Sequence, residues 1–377
     1  MTSFKKTALF AVLLLFTFAG IYAQERTTIE LNNGWKFAKG NNEKAFENNF
    51  NDAKWQSVTV PHDWAIYGPF DKEIDKQVTA IVQNGEKVAT EKTGRTGALP
   101  YIGEAWYRNQ FSVPNFDKNK KVILLFEGAM SEPKVFLNGK KVGEWNYGYN
   151  FFYFDITDFL AANGKNNLAV HLSNVGESSR WYPGAGLYRK VKLIVKNKES
   201  IDQWGTFVTT PIVTDEVAKV NIKTKVTGEN LRIVTKIKDA AGNEVALNKS
   251  EAIFGNEFEQ NIAVKNPKLW SPETPYLYTA VSQLYVGDVL KDETSTKFGI
   301  RTIKFEPNKG FSLNGKVRKF KGVCLHHDLG PIGTAINKAA LRRQLTILKD
   351  MGCDAIRSSH NMPSLEQLEL CDEMGFM

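Results

Sequence analysis

Two short polar clusters hold most of the side chains that are suited to chemistry. The first is residues 326–328, His-His-Asp, and the second is residues 357–361, Arg-Ser-Ser-His-Asn. Three of the five histidines of the chain lie in these clusters. Imidazole, carboxylate, guanidinium and amide groups together can bind a hydroxyl-rich ligand and orient or move a proton. The candidate binding residues are His326, Asp328, Arg357, His360 and Asn361.

A structural interpretation competes with the functional one at both clusters. A histidine at the end of a strand is often a hydrogen-bonded polar residue with no further role, and for residues 326–328 both interpretations stay open. Arg357 comes directly after an apolar strand that we expect to be buried, and a buried guanidinium is costly without acceptors. Such a group suits a carboxylate network or a hydroxyl-rich ligand, so we favour a binding site at residues 357–361.

Motif spacing argues against several classes of protein. The histidines lack HExxH spacing, which disfavours a zinc hydrolase, and no GxSxG, P-loop or GxGxxG followed by a helix occurs. Cys324, Cys353 and Cys371 fit no zinc pattern, and we expect them to be buried thiols outside disulfides. No ligand set for a metal is visible. The net charge is +8, but no Lys/Arg-rich run indicates nucleic acid as a partner.

The elements around the clusters predict a parallel βα unit. Residues 322–325 form a short apolar strand that ends at the first cluster. Asn337 is a good N-cap for a helix whose leucines at 341, 345 and 348 share one face, and Gly352 ends that helix. Residues 354–356 form the next strand, which ends at the second cluster.

A second helix and the start of a third strand follow. Pro363 opens the helix, Leu365, Leu368 and Cys371 share its apolar face, and Gly375 closes it before Phe376 and Met377 begin a strand. Short connections between strands and helices are typical of parallel sheets. In a (β/α)8 barrel the C-terminal ends of the strands face the active site, so both clusters are expected there.

Two β regions precede the βα unit. Residues 24–199 contain short strands and an Asn138-Gly139 hairpin turn, which predicts a jelly-roll β-sandwich. Residues 200–304 have the length and alternation of an immunoglobulin-like β-sandwich, without the Cys…Trp…Cys core of antibody domains. Residues 71–100 are a polar excursion that could include a small hairpin.

Tryptophans can line a sugar site, but we expect a core role for these four: Trp106, Trp145, Trp181 and Trp204.

The first 23 residues have the pattern of a signal peptide. Lys5 and Lys6 precede an apolar run of about twelve residues, 8–19, and Ala23 stands at a plausible cleavage point. A bilayer span needs about twenty apolar residues, so we expect no membrane span. Removal of residues 1–23 would lower the net charge from +8 to +6 because it removes two lysines. The mature protein is therefore expected in the periplasm, on the cell surface or in the medium.

The chain resembles glycoside hydrolase family 2, and its exported β-galactosidase branch in particular. Each matching segment is short, but their order and spacing along the mature chain are specific. The matching segments are residues 60–64 (VPHDW), 105–108 (AWYR), 135–139 (VFLNG), 180–189 (RWYPGAGLYR), 269–272 (LWSP), 298–301 (FGIR), 321–323 (KGV) with 326–328 (HHD), and 355–361 (AIRSSHN).

The resemblance implies a retaining exo-glycosidase that acts on oligo- or polysaccharides with a terminal β-linked sugar, most often galactose. Two carboxylates do this chemistry, one as nucleophile and one as acid and then base. By resemblance, Arg357 and His360 orient the sugar or a catalytic carboxylate, and the other three candidates complete the pocket. The 94–100 loop and Arg180-Trp181 approach it from the sandwich. A divalent cation is compatible with the family, and oligomers are also compatible.

The resemblance also implies that residues 305–377 are only the first part of a (β/α)8 TIM barrel. Residues 306–377 number 72, whereas a whole barrel takes about 250. The catalytic glutamates of the family would lie beyond Met377, so we assign no catalytic residue and expect this chain by itself to be inactive. Two alternatives stay open: a β-glucuronidase or β-mannosidase of the same family, and a non-catalytic carbohydrate-binding protein of two sandwiches.

Overall fold

The computed structural model describes residues 26–68, 70–71, 73, 76–79, 85–92, 103–175, 181–252 and 255–377. The predicted signal peptide, the 94–100 loop and Arg180 lie outside the described residues. Among the helices of the described ranges, none is long and apolar enough to cross a bilayer.

Twelve strands make up the first part of the described chain. They are β1 (Thr27–Glu30), β2 (Trp35–Lys39), β3 (Gln56–Val58), β4 (Gln77–Thr79), β5 (Thr90–Lys92), β6 (Gly103–Phe111), β7 (Lys120–Phe126), β8 (Lys134–Leu137), β9 (Lys140–Glu144), β10 (Phe152–Asp155), β11 (Asn166–Asn174) and β12 (Val191–Asn197). Ten of them form two antiparallel sheets, ordered β1-β12-β7-β10 and β3-β2-β6-β11-β8-β9. Strands β4 and β5 form a separate hairpin within the 71–100 excursion.

Alternation of apolar residues fills the core of this sandwich. Leu124 of β7 and Leu193 of β12 are paired in register, and both point into the main core. Their neighbours on the opposite face, Ile123, Leu125 and Ile194, are buried as well and form a second cluster. The four-stranded sheet is therefore covered on both faces, which explains why β7 is almost continuously apolar.

Seven strands form the second sandwich, as an immunoglobulin-like fold requires. They are β13 (Ser200–Val213), β14 (Val217–Thr227), β15 (Leu231–Lys238), β16 (Glu244–Ala252), β17 (Glu257–Lys265), β18 (Tyr278–Val286) and β19 (Val289–Phe298). Their sheets are ordered β13-β14-β17 and β16-β15-β18-β19. Strand β17 shows the period-two pattern clearly, since its residues alternate between exposed and buried along its whole length.

The last part of the chain changes to an α/β pattern. Its elements are β20 (Ile303–Glu306), β21 (Gly310–Leu313), β22 (Lys316–Val317), β23 (Gly322–Leu325), α1 (Lys338–Asp350), β24 (Ala355–Ser358) and α2 (Leu365–Met374). Strands β23 and β24 are parallel. Met377 continues this sheet beside β24, because its N–H donates to Asp354 O at 2.8 Å and its carbonyl accepts from Ile356 N at 2.9 Å. The predicted start of a third strand is present.

Helix α1 begins where its sequence predicts. The Asn337 side chain accepts a hydrogen bond from Ala340 N at 3.0 Å, and Leu341 and Leu345 are buried against β23 and β24. The predicted apolar face of α2 is wrong for two of its three residues, while the third, Cys371, packs into the cluster of α1. Leu365 and Leu368 are exposed, whereas Leu370 is fully buried. Glu366, in the first turn of the helix, faces the first sandwich and lies 3.4 Å from Lys190 Nζ.

Candidate functional site

The parallel strands β23 and β24 place Cys324 and Arg357 side by side on one face. Helices α1 and α2 cover the other face, where Leu325 and Ile356 pack into their cluster. Cys324 and Arg357 are therefore both exposed. Two predictions are corrected here: Arg357 lies within its strand and is not buried, and Cys324 is not a buried thiol.

Three rings meet at the C-terminal ends of these strands. The Trp181 ring centroid lies 5.5 Å from His360 and 5.9 Å from His326, and the two imidazoles are 5.6 Å apart and nearly perpendicular. His326 follows β23, His360 follows β24, and Trp181 comes from the first sandwich. The structure thus brings one residue of each predicted cluster together with the tryptophan that we expected to approach them. This set of three rings is called the ring cluster below.

Arg357 fixes the tautomer of His360. Its Nη1 lies 3.2 Å from His360 Nδ1, 3.4 Å from Ser359 Oγ and 3.7 Å from Cys324 Sγ. A guanidinium can only donate, so Nδ1 of His360 accepts, and the proton of the neutral imidazole lies on Nε2. His360 therefore offers an N–H donor on its far side. The hydrogen bond from Arg357 also lowers the pKa of the Cys324 thiol.

Tyr149 supports the ring cluster from the first sandwich. Trp181 Nε1 donates a hydrogen bond to its hydroxyl at 3.2 Å, and Asn361 lies beside the same hydroxyl. Burial raises the pKa of Tyr149 to about 12, so the hydroxyl stays protonated. His326 Nδ1 is buried and has no hydrogen-bond partner among the described residues. Such atoms are uncommon in folded proteins and call for a ligand or water.

His327 points away from the ring cluster and into the first sandwich. Its Nε2 lies 3.0 Å from the carbonyl of Pro183, which can only accept, so Nε2 carries the proton. Tyr149 meets its ring edge to face at 5.1 Å. Burial lowers the pKa of His327 to about 4, and the nearby Arg189 charge adds to this effect. His327 is thus a neutral anchor between the barrel segment and the sandwich.

Asp63 holds the loops that carry the site residues. Its Oδ1 accepts from Ala65 N at 3.0 Å and Ala185 N at 3.1 Å, and its Oδ2 accepts from Thr334 N and Oγ1, both at 2.9 Å. The Tyr182 hydroxyl donates to the same oxygen. The carboxylate is 1% exposed. Burial raises its pKa, and these hydrogen bonds act in the opposite direction.

Comparison with known proteins gives three matches along the chain. Residues 29–197 match the sugar binding domain of glycosyl hydrolases family 2, residues 200–301 match a further domain of glycosyl hydrolases family 2, and residues 305–377 match the TIM barrel domain of that family.

The chain belongs to glycoside hydrolase family 2.

The predicted family and fold class are therefore confirmed: a jelly-roll sandwich, an immunoglobulin-like sandwich and the first part of a TIM barrel.

A β-galactosidase of Bacteroides ovatus is 41% identical over 93% of this chain and 40% of its own length. A putative β-glucuronidase of Formosa agariphila is 35% identical over 97% of this chain and 34% of its own. The crystal structure of a family 2 member from Bacteroides cellulosilyticus superposes with a TM-score of 0.85 at 32% identity, over 93% of this chain and 45% of that one. The chain thus spans less than half the length of these relatives.

Two arginines of this family 2 chain are buried among the described residues, Arg108 and Arg189, and Arg189 lies near the site. Its Nη1 donates to the carbonyls of Glu127 at 3.2 Å and Tyr149 at 2.9 Å, and its Nη2 donates to Met362 O at 2.8 Å. The side chain is 1% exposed. Arg189 joins the segment of Tyr149 to the loop that follows β24. The burial predicted for Arg357 is wrong, since that side chain is exposed.

Asp328 lies to one side of the ring cluster. It is half-buried. Burial and Asp63 raise the pKa of Tyr182, and the charge of Asp328 adds to this rise. At His327 the same charge opposes the lowering of the pKa by burial and only partly offsets it. In the described part of the family 2 chain, no group of three or more His, Cys, Asp and Glu side chains is arranged to hold a metal ion.

Sequence reasoning missed Tyr149 and the role of Asp63. Asp63 and Trp181 both lie in segments that carry the family 2 resemblance, so that signal was present. Tyr149 had only a weak signal, the alternation of aromatic residues over positions 145–153. Among the four tryptophans that we expected in the core, only Trp106 is buried. Trp145 and Trp204 are exposed, and Trp181 is half-buried.

Proposed function

We propose that the ring cluster and its neighbours bind the terminal β-linked sugar of an oligo- or polysaccharide. In an enzyme of this family 2 type, the reaction is hydrolysis of terminal β-D-galactosyl residues. The support is the galactosidase relative at 41% identity and the placement of polar groups at the ends of parallel strands. The observation that carries the proposal is the buried, unpartnered His326 Nδ1 in the ring cluster, whose other histidine, His360, is paired with exposed Arg357.

The chemistry of a sugar matches this set of groups. Hydroxyls both donate and accept, and the site offers Nε2–H of His360, the Arg357 guanidinium and the Asn361 amide as donors. Asp328 supplies a carboxylate as acceptor. The Trp181 ring gives an apolar surface for the C–H face of the sugar. These residues bind and orient, and donors that tighten on the sugar as charge develops lower the barrier.

Retaining hydrolysis needs two carboxylates about 5–5.5 Å apart. One forms a covalent bond to the anomeric carbon, while the other protonates the leaving oxygen and then takes a proton from water. The two polar clusters hold a single carboxylate, Asp328. We therefore assign these residues to substrate positioning, and we expect the 377-residue chain by itself to bind but not to hydrolyse a β-galactoside.

A β-glucuronosyl substrate is the second candidate. The exposed guanidinium of Arg357 favours it, because arginine pairs strongly with a carboxylate such as that of a uronic acid. A relative at 35% identity is a putative β-glucuronidase. We further propose that the protein is exported, on the basis of the charged and apolar pattern of residues 1–23.

Calorimetry on the 377-residue chain tests the site. We expect binding of methyl β-D-galactoside, and a loss of affinity of about tenfold in Arg357→Ala and in His360→Ala, since one good hydrogen bond to a charged or oriented donor is worth roughly 1.4 kcal/mol. Arg343→Ala is the matched control, because Arg343 is an exposed arginine of α1. Stronger binding of methyl β-D-glucuronide, lost in Arg357→Ala, would favour the second candidate. Absence of binding to both glycosides would contradict the proposal.

A further inference from the structure

Strand β13 carries a large irregularity close to its start. Ile201 pairs with Val226 and Thr206 with Thr224, so β13 advances five residues while β14 advances two. The extra residues loop out of the sheet and carry Trp204, whose φ is +54°. A bulky residue in the left-handed region is strained, and bulges in sheets re-aim side chains, often at functional places. The ring of Trp204 is 53% exposed.

Two aromatic rings of the first sandwich hold Trp204 in this position. Phe151 lies 5.7 Å from it at 62°, and Tyr153 lies 5.5 Å from it at 69°, both edge to face. An edge-to-face contact covers one face of one ring and leaves other faces free. Tyr153 is itself exposed and lies on β10, the edge strand of the four-stranded sheet. The three rings form a rigid, open aromatic surface, called the aromatic platform below.

The aromatic platform is continuous with the ring cluster along the chain. Tyr149, which accepts the hydrogen bond from Trp181, is two residues before Phe151. Two residues span at most about 7 Å, so the backbone of Phe151, which belongs to the platform, lies within that distance of the backbone of Tyr149. Exposed Tyr147 packs against Tyr149, with ring centroids 5.5 Å apart. Aromatic side chains thus lead from the site towards Trp204.

We propose that the aromatic platform binds internal sugar units of a β-linked chain whose terminal unit lies at the ring cluster. Tyr and Trp offer large, rigid, amphipathic contact areas at low entropic cost, and the C–H faces of β-linked hexoses are apolar. The occupant is an extended neutral oligosaccharide, because the platform contains no charged side chain and adjoins the sugar site. The inference rests on the proposed function, and it makes polymers rather than small glycosides the preferred ligand.

Calorimetry with two probes tests the aromatic platform on the 377-residue chain. The probes are methyl β-D-galactoside and a β-1,4-linked galactohexaose. We expect the native chain to bind the hexaose at least about tenfold more tightly than the monosaccharide. In Trp204→Ala the ratio of the two affinities falls towards one, and in Trp204→Phe it recovers in part. Phe207→Ala is the matched control, since Phe207 is an exposed aromatic residue of the same strand, and it should keep the native ratio.

The outcomes separate this inference from the proposed function. A native ratio near one, with monosaccharide binding intact, overturns the platform alone. Hexaose binding that depends on Trp204, without monosaccharide binding, supports the platform and counts against the site. A Trp204→Ala variant that melts at a lower temperature but keeps the native ratio assigns Trp204 to packing between the sandwiches and overturns the inference. Failure to bind either probe overturns both.

Discussion

Arg357 and His360 form a donor–acceptor pair in which Arg357 Nη1 lies 3.2 Å from His360 Nδ1. The two residues are separated by only two others, yet the strand ends between them. The guanidinium therefore approaches the imidazole from the strand side and leaves the protonated Nε2 facing outward. This pair supplies two oriented donors to one place.

The first prediction concerns the thiol beside this pair. Arg357→Gln removes the cation whose hydrogen bond lowers the pKa of Cys324, so the pKa should rise towards its ordinary value. Less thiolate is then present at neutral pH, and we expect slower alkylation of Cys324 by iodoacetamide. The rate against pH, followed by mass spectrometry, measures this. Arg343→Gln serves as the control, and equal rates in the two variants would contradict the role of Arg357.

The second prediction concerns pH and His327. The folded pKa is lowered to about 4, while an unfolded histidine titrates near 6.5. As pH falls from about 6.5 to 4, the unfolded state takes up the proton first, so the free energy of unfolding decreases by roughly 3 kcal/mol. His327→Gln keeps an N–H donor for Pro183 but cannot titrate. Urea unfolding at several pH values should show that the free energy of unfolding decreases less in this variant than in the native chain as pH falls.

His62 contributes to the same pH window. Burial lowers its pKa to about 4 as well, and its Nδ1 lies 2.7 Å from the Tyr107 hydroxyl. The dependence should therefore be reduced in His327→Gln but not abolished. If the free energy of unfolding depends on pH as strongly in His327→Gln as in the native chain, His327 does not titrate as its burial requires.

The third prediction compares two leucines of α2. Leu370 is 0% exposed in the cluster with Leu345, whereas Leu368 is 43% exposed. Leu370→Ala should lower the free energy of unfolding by about 2–5 kcal/mol, because it removes buried methyl groups and leaves a cavity. Leu368→Ala, the matched control, should cost less than about 1 kcal/mol. Denaturant unfolding measures both changes. If the two variants lose the same free energy of unfolding, Leu368 is as buried as Leu370, as the sequence predicted.

The fourth prediction concerns Tyr149. Tyr149→Phe removes the acceptor of the Trp181 indole N–H, which should weaken methyl β-D-galactoside binding by a few-fold through loss of ring orientation, about 1 kcal/mol. Tyr147→Phe is the control, since this neighbouring tyrosine is exposed. Calorimetry on both variants provides the measurement. The same affinity in both would mean that the hydroxyl of Tyr149 does not orient the site.

Local patterns determined how well each element was predicted. The prediction of helix α1 was correct because two local signals, the N-cap Asn337 and the leucines along one face, indicate the same helix. In α2 the stripe was misleading, since the charge pairing of Glu366 with Lys190 and the burial of Leu370 depend on neighbours far along the chain. Residues near strand ends were placed well by the parallel βα pattern. Whether their side chains are buried depends on which face the helices cover, and the sequence alone does not contain that information.

Long-range partners explain what was missed at the site. Tyr149 belongs to a run of aromatic residues that fits a β-sandwich core equally well, and only its contact with Trp181 distinguishes it. The exposure of Trp204 depends on a bulge between β13 and β14, which has no signature in residue type. The burial predicted for Arg357 was wrong, and the arginine that is buried near the site, Arg189, donates to three backbone carbonyls from distant segments.

The carboxylate of Asp63 accepts hydrogen bonds from residues that are synthesised at different times. Its partner Thr334 is 271 residues further along the chain. At ribosomal rates of about 5–20 residues per second, the two donors of Thr334 are made on the order of tens of seconds after Asp63. During that interval the first sandwich holds Trp181 and Tyr149 without the histidines that complete the ring cluster. Tyr149 and Trp181 are thus made well before the two histidines, and the ring cluster cannot assemble until His360 has been synthesised.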